Sequence, residues 1–465
     1  MITYSIIKKS ELEGAVRLDA EYYQPEYLEV GKKLQNSAVL SDISKKITDF
    51  GAYSQMNFVE FVDKGIRFLR NQDIGEFFIN DSDPVFVSDD TYKKLSLKLE
   101  EFDILTPRVG TLGNATVVFN TNLPATANQN LAQIKADLNK IDPVFLAIFL
   151  CSNYGRKQFE RAATGNVQPW LNLMQIKNLK VFVPKKKLQE EIRDLALEAL
   201  KVSKGSIEFY KQAEELLLEE LGLSSFAKAI EDEKDLWWVV DLSDVKSAKR
   251  IDADYFQPKY QKLVEQIQKN NSRSLGDLVL IKKGFEPGSE AYQEEGKLFI
   301  RVSSVSKLGI EEKDQKYLSE ELYKELKKDY EPKLGDILLT KDATPGIAYV
   351  IKEPIEGIIS GGILDLKVKE NIESEYLALC ISSIVGQWQA QRDSGGSVIA
   401  HWKPKQIKNL LIPILPKQTQ QKIAELVRKS HEARNKSKEL LEEAKRKVEE
   451  MIDSTSSLQV EKGNN

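Results

Sequence analysis

The chain has 465 residues, of which 41% are hydrophobic and 30% are charged. This length exceeds one ordinary hydrophobic core and favours about three folding units, and the composition excludes a disordered acidic tail. Lys and Arg total 67 against 71 Asp and Glu, a formal net charge of −4. That balance excludes a polybasic, histone-like protein and, taken alone, argues against nucleic acid as a partner.

The scarcity of cysteine and histidine excludes several classes of enzyme and metal protein. Cys151 and Cys380 stand in apolar runs and cannot form a disulfide framework or a cysteine zinc site, so we expect buried, reduced thiols. His401 and His431 are the only histidines, so no HExxH motif exists and we predict no metal. Without a signal-peptide core or an apolar stretch of about 18 residues, a cytoplasmic protein with no membrane span is expected.

The sequence repeats itself at a long period. Three blocks recur in the same order, namely RLDAEYYQPEY at 17–27 and RIDADYFQPKY at 250–260, FDILTPRVGTLGNATVV at 102–118 and GDILLTKDATPGIAYVI at 335–351, and QIKNLKVFVP at 175–184 and QIKNLLIPIL at 406–415. The period exceeds the roughly 20–50 residues of a solenoid repeat, so each copy is large enough to be a domain. The sequence therefore predicts a domain duplication.

The repeat and the composition divide the chain into five segments. They are a first globular domain at 1–186, a central helical segment at 187–235, a second globular domain at 236–416, a C-terminal helical segment at 417–453 and a polar tail at 454–465. Short β-rich runs accompany two runs of helical periodicity, at 143–162 and 375–392. Each domain is therefore predicted to be a mixed α+β globule.

The two helical segments carry a heptad pattern with large residues beside Ala and Ser. About 33 residues of helix extend about 50 Å, more than one small domain covers. This length favours an antiparallel, coiled-coil-like pair with the domains at opposite ends of a rod, over helices that pack only on their own domains. The predicted seam consists of Ile192, Leu195, Ala199, Val202, Ser206, Phe209, Ala213, Leu216, Ile423, Leu426, Ser430, Ala433, Ser437, Leu440 and Ala444.

Two similar domains on a fixed spacer suit a linear target of two roughly symmetric parts, and duplex DNA is such a target. A 50 Å helix corresponds to roughly 15 base pairs between the domain centres. The approximate twofold repeat of the protein would then match the two halves of a DNA site.

These blocks resemble the specificity subunit of a type I restriction–modification system over nearly the whole chain. The resemblance rests on the duplicated blocks above and on TGNVQPWLNLMQIKNLKVFVPKKKLQEEI at 164–192 and GGSVIAHWKPKQIKNLLIPILPKQTQQKI at 395–423, each leading into a long helix. It implies two target-recognition domains, each reading one half of a bipartite double-stranded DNA site. It also implies helices that set the spacer and hold two methyltransferase subunits, with a restriction or translocase subunit as a further partner.

The same resemblance implies an adaptor with no catalysis and no cofactor of its own. S-adenosylmethionine, and ATP with Mg²⁺ where a restriction subunit is present, would be bound by the partner subunits. The sequence also lacks enzyme motifs: neither NPP nor DPP occurs, and the run at 288–299 has the wrong spacing for a phosphate-binding loop. The alternative is a non-catalytic coiled-coil scaffold whose two globular domains bind protein partners.

Candidate DNA contacts come from matched positions in the two copies. Arg108 and Lys341 follow a strand and suit a phosphate or a guanine edge, while a solvated charge at a strand end is equally consistent. Arg70 and Arg301 suit DNA contact or an ion pair within the domain. The full set of candidates is Arg70, Arg108, Thr111, Asn114, Gln168, Asn172, Lys185, Lys186, Arg301, Lys341, Thr344, His401 and Lys403.

Several of these residues have ordinary structural interpretations. Turn chemistry alone explains Thr and Asn in the Gly-containing turns, and a lysine run is usually a solvated face. Trp170 and Trp402 are expected to be buried anchors of their loops. Trp237 and Trp238 are expected in the core, and the duplicated Tyr-Tyr/Phe-Gln-Pro block is expected to form a structural lid or a partner surface.

The charge is unevenly distributed along the chain. Residues 188–235 contain 6 basic and 13 acidic residues, so the acidity lies largely in the central helical segment and the globular domains are near neutral. A near-neutral reader should bind DNA weakly by itself and depend on basic partner subunits to hold the duplex.

Overall fold

The computed structural model describes residues 4–10, 12, 17–51, 53–81, 83–165, 168–224, 237–311, 315–369, 371–394 and 401–463. The chain divides into two compact units. Unit 1 contains residues 1–202 and 436–465, and unit 2 contains residues 203–435. Each unit is thus one globular domain together with part of each of two long helices.

Unit 1 combines short helices with three small sheets. Its helices are α1 (Pro25–Lys33), α2 (Asp89–Lys94), α3 (Pro143–Cys151), α4 (Asn153–Ala162) and α5 (Leu173–Lys177). Its strands are β1 (Ala38–Val39), β2 (Ser44–Asp49), β3 (Phe61–Val62), β4 (Ile66–Leu69), β5 (Phe86–Val87), β6 (Asp103–Pro107), β7 (Thr116–Val117), β8 (Ala125–Ala127), β9 (Leu131–Ala136) and β10 (Lys180–Val181). The sheets have the orders β2-β9-β6-β7, β3-β5-β4-β8 and β1-β10.

The long helices are α6 (Lys186–Glu220) and α14 (Lys417–Gly463). In unit 2 the helices between them are α7 (Leu242–Ala248), α8 (Pro258–Lys269), α9 (Leu275–Leu278), α10 (Glu320–Tyr330), α11 (Ser374–Ser382), α12 (Ile384–Asp393) and α13 (Pro404–Lys408). The strands are β11 (Ser272–Ser274), β12 (Val279–Lys283), β13 (Lys297–Ile300), β14 (Val305–Ser306), β15 (Gly309–Ile310), β16 (Lys316–Leu318), β17 (Ile337–Thr340), β18 (Ala348–Val350), β19 (Gly357–Ile359), β20 (Ile363–Val368) and β21 (Leu411–Pro413).

Unit 2 repeats the topology of unit 1. The sheet β12-β20-β17-β18 has the strand order of β2-β9-β6-β7, and both are antiparallel throughout. The three strands β16-β13-β19 match β5-β4-β8, with one antiparallel and one parallel pairing in each. The pair β11-β21 matches β1-β10. The predicted α+β fold and its internal duplication are therefore confirmed.

The long helices α6 and α14 pack together in antiparallel directions, as predicted. The Ser437 hydroxyl donates to the Ala199 carbonyl at 2.8 Å in unit 1. In unit 2 the Ser206 hydroxyl donates to the Ser430 carbonyl at 2.7 Å, and the Ser430 hydroxyl donates to the Ser206 carbonyl at 2.8 Å. These small side chains let the backbones approach closely and satisfy their own polar groups within the seam.

One line of the predicted seam is correct, and the other is displaced by one residue. The first line is buried throughout and consists of Ile192, Ala199, Ser206, Ala213, Ile423, Ser430, Ser437 and Ala444. Most of the second line is only half-buried, namely Leu195, Val202, Phe209, Leu216, Leu426 and Ala433, whereas Leu440 is buried. The buried neighbours are instead Ala196, Tyr210, Leu217, Val427 and Leu441. The residues three and four positions after a buried seam residue lie on opposite sides of the seam line. The domain that packs on the helix decides which of the two sides is buried.

The ends of the long helices differ from the predicted segments. Helix α6 ends at Glu220 because Gly222 adopts a left-handed conformation, with φ of 66°. The Leu223 amide then donates to the Leu218 carbonyl at 2.7 Å, which is a Schellman termination. Residues 225–235 of the predicted central segment lie outside the described residues. Helix α14 continues to Gly463, so most of the segment predicted as a polar tail is helical.

The two predicted helices at 143–162 and 375–392 are each broken into a pair of helices. Ser152 and Ser383 are extended, and their hydroxyls cap the second helix of each pair. Gly155 and Gly386 let the second helix begin against the end of the first, because a Cβ at Gly386 would overlap the Ile381 carbonyl oxygen. The uninterrupted apolar pattern concealed both breaks, since a capping serine is also compatible with a helix interior.

Replacing Gly386 by Ala should lower the free energy of unfolding of unit 2 by about 2 kcal/mol, because the methyl group has no space beside the preceding backbone. Urea unfolding followed by tryptophan fluorescence measures the change. Gly205→Ala is the matched control: an added Cβ there meets nothing within 4 Å, so this helical position should gain up to about 1 kcal/mol. Equal stability of Gly386→Ala and the wild type would contradict the close approach.

The duplicated Arg-Asp-Tyr block holds the start of each domain against a helix end. Arg17 binds Asp19 and donates to the Ala163 carbonyl at 3.1 Å, with its guanidinium 4.6 Å from the Tyr22 ring centroid. Arg250, Asp252 and Tyr255 repeat this arrangement in unit 2. A cation at the carbonyl end of a helix is a favourable interaction, so the structural interpretation of the block is supported. The expectation that Trp237 belongs to the core is wrong, since it is 76% exposed.

Candidate nucleic-acid interface

The matched cations Arg108 and Lys341 follow equivalent strands, β6 and β17, and the same backbone contacts hold them. The Arg108 amide donates to the Asn130 carbonyl at 2.8 Å, and the Arg108 carbonyl accepts from the Leu171 amide at 2.8 Å. In unit 2 the Lys341 amide donates to Gly362 at 3.0 Å, and the Lys341 carbonyl accepts from the Trp402 amide at 2.9 Å. The fold therefore places the two residues identically within their units.

Both cations are paired inside their own unit. The Arg108 guanidinium binds the Asp49 carboxylate and also donates to the Leu171 carbonyl at 3.1 Å. The Lys341 ammonium binds the carboxylate of its neighbour Asp342. Both cationic side chains are mostly covered, so neither is a solvated charge at a strand end. Contact of these residues with DNA stays a prediction.

An exposed side chain stands beside each cation. Trp170 forms an isolated β-bridge with Val109, and His401 forms the equivalent bridge with Asp342. Trp170 is 44% exposed, and the His401 side chain is 62% exposed. The matched structural positions are therefore Trp170 with His401, not Trp170 with Trp402.

The expected burial of the two loop tryptophans is half correct. Trp402 is 1% exposed, and the residue that occupies its place in unit 1 is Leu171, which is fully buried. Trp170 is not buried, because it stands one position before Leu171 and takes the bridge position that His401 has in unit 2. The sequence carried a signal of this difference: five positions separate Gly165 from Trp170, whereas six separate Gly396 from Trp402.

The His401 ring is oriented by a carboxylate. Nδ1 of His401 lies 2.8 Å from Oδ1 of Asp342. Burial of the Asp342 carboxyl raises its pKa, but the hydrogen bonds with Lys341 and His401 outweigh this effect and hold the pKa below its usual value. Asp342 is therefore ionised at neutral pH and links the mostly covered Lys341 side chain to the exposed imidazole.

The other candidates of unit 1 differ in how far the fold already uses them. Thr111 and Gln168 are exposed, whereas the Asn114 amide donates to the Ile74 carbonyl at 3.1 Å. Asn172 is exposed and its side chain caps helix α5 by accepting from the Gln175 amide at 2.9 Å. Lys185 and Lys186 are exposed at the start of helix α6.

The candidates Arg70 and Arg301 do not behave alike. Arg70 forms ion pairs with Asp73 at 3.0 Å and Asp83 at 3.2 Å, so the alternative of an ion pair within the domain is realised there. Arg301 donates to the Ser303 hydroxyl at 3.3 Å.

Two further candidates of unit 2 lie at turns near His401. Thr344 is exposed, and its carbonyl accepts from the Thr340 hydroxyl. Lys403 is exposed, and its amide donates to the Gln406 side chain at 3.0 Å where helix α13 begins. The fold brings Lys341, His401 and Lys403 to one loop cluster after strand β17, since His401 and Trp402 pair with the backbone there.

Three residues that shape these sites were not predicted from the sequence. Asp49 and Asp342 pair with the two cations, and the Asn71 amide donates to the Val109 carbonyl at 2.8 Å. Asp342 could have been found from its place between Lys341 and the turn. Asp49 and Asn71 carry no local signal, because each reaches its partner across the fold.

In the part of the chain that the structure describes, no cluster of three or more His, Cys, Asp or Glu side chains is arranged to hold a metal ion. Across the same residues, no helix combines the length and the apolar character that a membrane crossing requires.

The similarity to known proteins lies in a family of DNA-recognition domains. Residues 268–445 match the family described as the type I restriction modification DNA specificity domain. No curated protein is similar enough in sequence to count as a relative. Solved structures that are similar include the type I restriction–modification S subunit from M. genitalium, with 15% identity, 90% of this chain and 94% of that chain covered, and a TM-score of 0.41.

A second similar structure is the HsdS subunit from Thermoanaerobacter tengcongensis, with 15% identity, 90% and 95% coverage and a TM-score of 0.28. At these values neither structure adds to the assignment, which depends on the family match and on the duplication. The matched region comprises most of the second domain and the start of helix α14, and the same topology recurs in unit 1. Residues 268–445 therefore match a type I restriction modification DNA specificity domain, and unit 1 repeats the same topology.

Proposed function

We propose that each unit reads one half of a bipartite duplex DNA site and that helices α6 and α14 set the spacing between the halves. One observation carries this proposal: the two units share a topology but expose a different type of side chain at one matched position. The same strand end and the same loop present Trp170 in unit 1 and His401 in unit 2. Two copies of one scaffold with different contact residues suit a target with two unlike halves.

The charges beside this position favour base contacts over phosphate contacts. Asp49 and Asp342 neutralise Arg108 and Lys341, so a phosphate would meet a carboxylate beside each cation. A paired, oriented cation suits the donor and acceptor pattern of a base edge better than the uniform charge of the backbone. Affinity for the phosphates would then come from other subunits.

The partners in this proposal are two methyltransferase subunits docked on the helices, with a restriction or translocase subunit as a further component. They would bind S-adenosylmethionine and, with a restriction subunit, ATP and Mg²⁺. This chain would act as a cytoplasmic, non-catalytic adaptor. Its near-neutral composition supports that role, because a reader with a net charge near zero binds DNA weakly by itself.

Loss of this chain should abolish one bipartite methylation motif in its host. Single-molecule sequencing of genomic DNA maps methylated bases in the host with the chain, without it, and after it is restored. Replacing residues 1–186 by the matching domain of another specificity subunit should change one half of the motif and leave the other unchanged. Identical methylation with and without the chain would refute the proposed function, and a change in both halves would refute the assignment of one half to each unit.

A further inference from the structure

We propose that the position of Trp170 in unit 1 and His401 in unit 2 determines which base each unit accepts. In unit 1, Trp170 with Val109 would make an apolar contact with a thymine methyl group. In unit 2, His401 oriented by Asp342 would make a hydrogen bond to a polar base edge. This inference rests on the proposed function and names the residues that divide its two specificities.

The two residues are structurally equivalent, although their neighbours in sequence differ. Each is bridged to the residue that follows the strand-end cation, Val109 in unit 1 and Asp342 in unit 2. The next residue in each loop, Leu171 or Trp402, has a buried side chain, and its backbone amide donates to the backbone carbonyl of the cationic residue. The backbone therefore presents Trp170 and His401 on the same side of the same scaffold.

In unit 1 the presented side chain is large and apolar, and hydrogen bonds hold its backbone in place. The Trp170 amide donates to the Thr164 carbonyl at 2.9 Å, and the Trp170 carbonyl accepts from the Thr164 amide at 3.0 Å. Its bridge partner Val109 is also apolar. In the major groove the apolar feature of a base pair is the thymine methyl group, which this surface matches.

In unit 2 both members of the pair are polar. Nδ1 of His401 faces the Asp342 carboxylate, which leaves Nε2 on the far edge of the ring as the nitrogen for a base. The Lys341 ammonium holds the other oxygen of the same carboxylate. The ring therefore carries one hydrogen-bonding atom in a fixed direction, as recognition of a base edge requires.

Exchange of the two pairs tests the inference. Val109→Asp with Trp170→His places the unit 2 pair in unit 1, and Asp342→Val with His401→Trp does the reverse. Each variant, produced with its methyltransferase partner in a host that lacks the wild-type chain, should change the accepted base at one position of one half-site. Methylation of the original motif should fall about tenfold or more, in line with the loss of one good base contact. The other half-site should stay unchanged.

Leu138→His is the matched control. Leu138 is exposed, with 60% of its surface accessible, like the exchanged residues. It follows the C-terminal end of strand β9, whereas the Arg108 amide contacts Asn130 just before the N-terminal end of that strand. It should keep the original motif. If an exchanged variant fails to assemble, the single variants Trp170→Phe and Trp170→Ala replace it: phenylalanine should retain methylation of the original motif and alanine should reduce it.

A duplex carrying the original motif, with uracil in place of thymine in one half, isolates the methyl contact. The wild-type complex should bind it about tenfold more weakly, and the Trp170→Ala complex should not distinguish the two duplexes. Unchanged motifs in both exchanged variants, or equal discrimination by wild type and Trp170→Ala, would overturn the inference. These outcomes leave the proposed function intact, because its own tests are loss of the motif without the chain and the change of one half-site on domain exchange.

Discussion

Replacement of Asp365 by Asn is expected to stabilise unit 2 by about 3 kcal/mol at pH 7.5. Asp365 lies in strand β20 beside Asp336, which immediately precedes the neighbouring strand β17, and its Oδ1 atom is buried without a hydrogen-bond partner. Burial, followed by the charge of Asp336, raises the pKa of the Asp365 carboxyl to about 6. At pH 7.5 the Asp365 carboxyl must therefore ionise in a buried site beside the charge of Asp336, whereas in the unfolded chain it ionises in water.

The sign of the pH dependence follows from this raised pKa. The folded state binds the proton of Asp365 more tightly than the unfolded state, so its stabilising contribution is complete below about pH 4 and is lost as pH rises through 6. A difference of about two pKa units corresponds to about 3 kcal/mol. The advantage of Asp365→Asn should therefore be full at pH 7.5 and shrink as pH falls towards 4.

Unit 1 contains the matched control. At the positions of Asp336 and Asp365 it has Asp103 and Gln133, and the Gln133 amide donates to the Asp103 carboxylate. Gln133→Glu creates a carboxyl pair there and should destabilise unit 1 by about 3 kcal/mol at pH 7.5. Hydrogen–deuterium exchange of peptides from strands β9 and β20 at several urea concentrations separates the two units. Lower stability of Asp365→Asn at pH 7.5 would contradict the carboxyl-pair argument.

The second large effect concerns His431 in helix α14. Its side chain is buried and meets the Tyr349 ring edge to face, with the ring centroids 5.4 Å apart. Burial, helped by the charges of Lys352 and Arg434, lowers the pKa of His431 to about 4. A hydrogen bond with the Leu308 backbone and the charge of Glu375 oppose this shift but do not cancel it.

Unit 2 should therefore lose up to about 3 kcal/mol of stability through His431 as pH falls from 6.5 to 4. In that range the unfolded state binds the imidazole proton and the folded state does not, so acid favours unfolding. Asp365 titrates over an overlapping range with the opposite sign. We expect the two effects to offset each other in the wild type, so the test uses the Asp365→Asn background.

In that background, the further replacement His431→Gln should flatten the dependence of stability on pH between 6.5 and 4. Urea unfolding at pH 7.5, 6, 5 and 4.5, read by exchange in strand β20 and helix α11, measures the slope. The comparison is made between the single and the double variant, so any constant cost of removing the Tyr349 contact cancels. Parallel curves for the two variants would show that His431 does not titrate in this way.

Much of the fold follows from local and repeated patterns. The duplication predicted two α+β domains with the same order of elements, because matched blocks build matched elements. The heptad line through Ala199 and Ser206 predicted a close helix pair, since small residues at that spacing permit it. The second seam line was displaced by one residue, because periodicity alone does not say which neighbour of a buried line faces the domain.

The candidate interface was less predictable than the fold. Lys341 and His401 were identified separately from their residue types and loops, but their link through Asp342 depends on a β-bridge between segments 59 residues apart. Trp170, like Trp402, was expected to be a buried anchor of its loop, but it is 44% exposed. The exposure of a loop residue depends on its register in the pairing, and a change of one residue reverses the direction of the side chain.

The sequence by itself determined the duplicated architecture, the long helices and the resemblance to a family of DNA specificity domains, because these depend on composition, spacing and repeated motifs. Only the tertiary structure decided that Trp170 and His401 are exposed beside matched strand ends, and that Asp336 meets Asp365 where Asp103 meets Gln133. The physical reason is the same in both cases. Sheet register and loop pairing bring distant residues together, and these long-range contacts set the environment of each side chain.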